Sequence, residues 1–213
     1  MTPADTFQPI LDAYSLAGGV DPGTLAPVDD LLDGQDADGV RRPIGVVRGG
    51  VLGLRGTIMP SGCPLIEWLR DFDIVPEPTE FGTVARGAWW GYQGLSTRSG
   101  RPLASLGIRA VGGHSYGAGL AAIVAVALGV TPCLWAVPNW WFAEFRSRFA
   151  ALRGWVFAEA GDVVPWLGYL LEPKLQPVTH LVPGGQGDLV YHHEFSTYMA
   201  SYLASLPSVT VTP

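Results

Sequence analysis

The stretch that most limits the fold is Ala110 to Gly129, AVGGHSYGAGLAAIVAVALG. Gly113 and Gly117 flank Ser115 at two residues on either side, and an apolar run from Ala118 to Val130 follows. A run that is apolar all round reads as a helix buried on a sheet, and Gly129 is placed to end it. Ile108 to Val111 read as the strand that feeds the turn. A strand, a glycine-bounded serine and a buried helix are the parts of a turn that lifts a serine above a sheet edge, with a helix N-terminus aimed at it. Glycine suits positions 113 and 117 because side chains there would collide with the neighbouring strand and helix when Ser115 takes strained backbone angles. An ordinary glycine-rich strand-to-helix turn is the competing reading.

The remaining pattern supplies a sheet for that turn. PIGVVRGGVLGLRG (43–56) has two short apolar runs around Gly49 and Gly50, a hairpin signature with strands near Val46 and over Val51 to Leu54. PCLWAVP, WVFAEA and VTHLVP read as strands, WFAEFRSRFAAL as a helix, and Phe195 to Leu206 as a final amphipathic helix. Strands alternating with helices imply a mostly parallel sheet covered on both faces. The first forty residues, rich in Asp, Gly and Pro, read as short helices and loops on the outside. Leu65, Trp68, Leu69 and Phe72 recur at helical spacing and predict a short amphipathic helix.

With 213 residues, 48% of them hydrophobic, the chain is long enough for one domain with a substantial core, so a single domain over 1–213 is expected, with 1–43 peripheral. Net charge is −6 and the arginines form no stripe, which argues against nucleic acid as a partner. The longest apolar run is too short to span a bilayer, and the N-terminus lacks the basic and apolar regions of a secretory signal. The expectation is a cytoplasmic chain, or a secreted one whose signal is absent. Cys63 and Cys133 have no metal or redox spacing.

If Ser115 is a nucleophile, it needs a base and an acid, which in such a layout follow it in the chain. His114 lies inside the turn and reads as a supporting side chain, and His180 falls in a strand. His192 and His193 precede the last helix, where a ring reaches across the strand ends; His193 is preferred. Asp162 lies just past the C-terminal end of the WVFAEA strand, the edge where such sheets assemble sites. Its rivals are Asp188, Glu159 and Asp73, and an ordinary capping aspartate is the plain alternative.

From about Val51 to Leu206 the chain resembles the class 3 lipase family of α/β hydrolases, its bacterial members above all. LGLRGT resembles the family's oxyanion strand, EWLRDFD the segment after it, GGHSYGAG the elbow and GDVVPWLG the acid loop. WAVPNWWFAEF resembles the strand and turn after the elbow helix. HEFSTYMASYL resembles the family's histidine followed five residues later by tyrosine, the spacing of His193 and Tyr198. The chain departs from the family at TVARGAWW, where Ala85 or Arg86 stands at a usual histidine, and it lacks the fungal members' length and cysteine framework.

The resemblance implies an α/β-hydrolase fold and hydrolysis of an ester or lipid substrate by Ser115, Asp162 and His193, with no cofactor and no metal. Thr57 and Tyr116 would supply backbone N–H groups to the oxyanion. Residues 58–72 would lie where family lids lie. Trp89, Trp90 and Trp140 are candidates for substrate binding, with transient contact at a lipid interface, and core packing is the alternative for each. Two other functions use the same fold: acyl transfer to an alcohol through the same triad, and binding without catalysis.

Overall fold

The structure is a computed structural model that describes residues 1–35, 41–58, 73–138, 141–159, 161–162, 164–167, 180–182 and 193–205. The elements in chain order are α1 (Phe7–Ala17), β1 (Asp30–Gln35), β2 (Arg41–Arg48), β3 (Val51–Leu54), β4 (Pro76–Glu77), β5 (Val84–Ala85) and α2 (Arg86–Gln93). There follow β6 (Ser96–Thr97), β7 (Ala110–His114), α3 (Tyr116–Leu128), β8 (Thr131–Trp135), α4 (Ala143–Ala150), β9 (Trp155–Glu159), α5 (Val164–Leu167), β10 (His180–Val182) and α6 (Phe195–Ser205).

The hairpin forms at the expected place. Arg48 pairs with Val51 across the turn, and Gly49 and Gly50 take φ of 55° and 74°, the left-handed values a two-residue turn needs. Beyond it, β3, β7, β8, β9 and β10 lie parallel in that order, and β2, β1 and β6 extend the other edge antiparallel. Each parallel step needs a crossover, and α3 and α4 supply two of them.

Side-chain alternation along the strands builds a core on each face. Cys133, Trp135 and Phe157 point to a layer that α1 and α6 complete with Phe7, Ile10, Phe195 and Tyr198. Leu134, Val156 and Val111 point the other way, onto α3, α2 and the aromatic residues of α4. Helix α3 is buried from Gly117 to Ala125, as its all-apolar sequence requires, and Gly129 ends it at φ 66° with the Val130 N–H returning to the Ala125 carbonyl.

Two expectations need correction. The N-terminal segment is not an exterior wrapping: α1 buries Phe7, Ile10, Ala13 and Leu16 on the sheet, and β1 is a strand within it. The elbow strand runs over Ala110–His114 rather than from Ile108, because pairing with β3 starts at Val51 opposite Ala110, after Gly107 at φ 65°. The amphipathic helix expected over 65–72 and Cys63 lie outside the described residues. Among the described residues no helix is long and apolar enough to cross a membrane.

Candidate active site

Ser115 stands between β7 and α3 at φ 56°, ψ −126°, a region non-glycine residues rarely occupy. The surroundings hold it there. Its N–H donates to the Trp135 carbonyl at 3.0 Å, and its own carbonyl accepts from the Ala118 N–H at 2.9 Å. A Cβ at position 113 would lie 2.3 Å from the Gly117 carbonyl oxygen, and one at position 117 would lie 2.3 Å from that of Arg55. The strand end and the helix start therefore meet at a spacing that only glycine permits.

Three side chains converge at this turn. His193 Nε2 lies 2.9 Å from Ser115 Oγ, and His193 Nδ1 lies 2.9 Å from Asp162 Oδ2. All three residues are buried. Asp162 sits three residues past the end of β9, where its Oδ1 accepts the Val164 N–H at 2.8 Å. His193 lies two residues before the start of α6. A carboxylate on Nδ1 favours the neutral tautomer with the proton there, leaving Nε2 as acceptor for the serine O–H.

The rival residues stand elsewhere. Asp73 pairs with Arg86 at 2.5 Å, and Glu159 accepts from the Ser201 hydroxyl at 3.2 Å. His180 lies in β10, as its sequence context implied. His192 and Asp188 lie outside the described residues.

His114 has a place of its own. Its Nδ1 is 2.7 Å from the Tyr14 hydroxyl, and its ring centroid is 5.0 Å from that of His193 and 5.9 Å from that of Tyr198. Burial first, and the neighbouring His193 second, pull its pKa well below the usual imidazole value, against a hydrogen bond with the His193 backbone.

Of the candidate oxyanion donors, Tyr116 is the first residue of α3, where the helix directs N–H groups and its positive dipole end toward the turn. Its phenol donates to the Gly87 carbonyl at 3.3 Å, tying α2 to the elbow. Thr57 is half-buried and follows Gly56, where a Cβ would come within 2.8 Å of Ser115 Cβ.

The tryptophan pair on α2 is split. Trp89 stacks on Tyr92 at 5.3 Å and meets Phe81 edge-on, as part of the core's margin, whereas Trp90 is 58% exposed with the Arg86 guanidinium over its ring at 5.1 Å. Trp140 and residues 59–72 of the expected lid lie outside the described residues, and Ile58 is exposed.

Three residues at the site were not among the site candidates named from the sequence. Tyr198, in α6, donates its hydroxyl to Asp162 Oδ2 at 2.7 Å and accepts the Glu159 N–H at 2.9 Å. Burial, and then the Asp162 charge, hold its phenol pKa well above the usual value. Its spacing from His193 was visible, but not its contact with Asp162. Arg55 is buried and donates to the Gly56 and Pro43 carbonyls, each at 2.7 Å. Tyr14 is the third.

A largely parallel sheet carrying a strained serine at the end of a central strand, with helices on both faces, is the α/β-hydrolase fold. No protein-family model matches the chain, and no curated protein matches its sequence. Solved structures match in shape. A Rhizomucor miehei lipase in a propeptide complex, a deletion mutant, aligns at TM-score 0.50 and 18% identity over 76% of this chain and 60% of that one. Lip2 lipase from Yarrowia lipolytica aligns at TM-score 0.52 and 14% identity over 86% of this chain and 79% of that one. At these identities the likeness is one of fold, and the chain spans only three fifths of the Rhizomucor protein's length.

Proposed function

We propose that this chain is a serine hydrolase of carboxylic esters, of the class 3 lipase type, acting on acylglycerol-like or short-chain esters. The observation that carries the reading is the unbroken line of hydrogen bonds from Ser115 Oγ through His193 to Asp162.

In this mechanism His193 Nε2 takes the Ser115 proton as Oγ attacks the ester carbonyl, and Asp162 stabilises the imidazolium. The oxyanion accepts from the Thr57 and Tyr116 N–H groups, and loss of one such donor costs on the order of a hundredfold or more in rate. His193 then protonates the departing alcohol. It next deprotonates the water that attacks the acyl-enzyme, and returns the proton to Ser115 as the acid leaves. The fold shared with two lipases supports an ester substrate. Exposed Ile74, Val75 and Trp90 around the start of α2 support a transient contact with lipid.

A fluorophosphonate probe should form an adduct on Ser115, and nitrophenyl esters of rising acyl length should be hydrolysed. Ser115→Ala, Asp162→Asn and His193→Ala should each remove most activity while circular dichroism stays unchanged. A folded wild-type protein whose Ser115 takes no phosphonate would overturn the proposal.

A further inference from the structure

We propose that Tyr14, on the N-terminal helix, is a positioning residue for this reaction. Its single hydroxyl holds both the strand end that carries the Thr57 N–H and the imidazole that backs His193. The inference rests on the hydrolase reading above.

The Tyr14 oxygen accepts the Gly56 N–H at 2.9 Å. With Nδ1 of His114 at 2.7 Å, and His114 donating a ring N–H to the His193 backbone from its other nitrogen, the Tyr14 proton goes to Nδ1 and the ring is a neutral imidazole protonated on Nε2. The lowered pKa of His114 agrees with that assignment. One hydroxyl thus joins β3's end to the residue before Ser115.

What this does for the oxyanion donor follows from peptide geometry. The Gly56 carbonyl accepts from Arg55 Nη1 at 2.7 Å, and across a trans peptide the next N–H, that of Thr57, points the opposite way. With the Gly56 N–H held by Tyr14 and its carbonyl by Arg55, the residue is fixed on both sides. The fit is close: a Cβ on Gly56 would meet Tyr14 Oη at 2.7 Å and Ser115 Cβ at 2.8 Å. The peptide that carries the Thr57 N–H, packed against Ser115 through Gly56, is therefore fixed by a residue of α1 and not by its own strand alone.

The second arm acts on the base. The His114 ring lies 5.0 Å from that of His193, tilted by 36°, and also packs on Phe195 at the start of α6. Held by Tyr14, it is a fixed, uncharged wall behind His193, so no second cation opposes the imidazolium that forms during attack.

The test compares wild type, Tyr14→Phe, His114→Asn and His114→Leu, using nitrophenyl butyrate hydrolysis, fluorophosphonate labelling rates and thermal unfolding. Tyr14→Phe should lower kcat about tenfold to a hundredfold, with KM within about twofold and phosphonate labelling slowed in parallel. His114→Asn keeps an acceptor for Tyr14 but loses the ring, and should lose less of kcat than His114→Leu, which removes the acceptor as well and should lose at least as much as Tyr14→Phe. A Tyr14→Phe protein that is folded and keeps wild-type kcat and labelling rate would overturn the proposal and leave the hydrolase reading intact. If Tyr14→Phe does not fold, equal kcat in His114→Asn and His114→Leu would overturn it. Absence of labelling in wild type would instead remove the hydrolase reading, and this inference with it.

Discussion

Removing one oxygen from Tyr198 tests how Asp162, the acid of the proposed triad, is held. The side chain is fully buried, and its hydroxyl serves both Asp162 Oδ2 and the Glu159 N–H. Tyr198→Phe leaves the ring in its packing beside Trp135 and His114 and removes both hydrogen bonds. A hydrogen bond to a charged group contributes roughly 1.5–3 kcal/mol, and a buried N–H left without a partner costs roughly 1–3 kcal/mol. Because one oxygen makes both contacts and its own desolvation is no longer required, the expected loss is about 2–4 kcal/mol rather than the full sum. With a urea slope of about 2 kcal/mol per molar, the unfolding midpoint should fall by roughly 1–2 M. Tryptophan fluorescence reads this directly. Asp162 keeps the Val164 N–H and His193, so the imidazole stays oriented and kcat should drop only about fivefold, equivalent to about 1 kcal/mol. An unchanged midpoint would show that the hydroxyl does not hold the carboxylate as described.

Two further outcomes follow from strain and from burial. Ser115→Gly should be more stable than Ser115→Ala by about 1–2 kcal/mol, since both lack Oγ and only glycine adopts φ 56° freely; equal urea midpoints would contradict strain at the elbow. His114 is held neutral in the fold, so below about pH 6.5 the unfolded chain binds a proton that the folded one excludes. Stability from this group is full above that pH and should decline by up to about 1.4 kcal/mol per pH unit as pH falls below it. His114→Asn should remove that part of the slope, and identical pH profiles for the two proteins would refute the buried neutral ring.

The elbow was legible because its information is local. Gly113, Ser115 and Gly117 lie within five residues, and the all-apolar α3 follows directly, so periodicity and sterics acted on one short window. Asp162 and His193 were legible only as an ordered pair of candidates, chosen by strand ends and by resemblance. The N-terminal reading failed for a related reason. Phe7, Ile10, Ala13 and Leu16 make a helical stripe, but among Asp, Gly and Pro the stripe alone did not show that β2, β3 and β7 would receive it.

From its residues alone, this protein determined a glycine-framed serine between a strand and a buried helix, a glycine hairpin, and an alternation that calls for a covered parallel sheet. Only the tertiary structure decided which groups surround that serine. Tyr14 reaches Gly56 across 42 positions and His114 across 100, and Tyr198 reaches Asp162 across 36. Hydrogen bonds between such distant residues leave no periodic trace in the chain, because their geometry exists only after the helices have settled on the sheet.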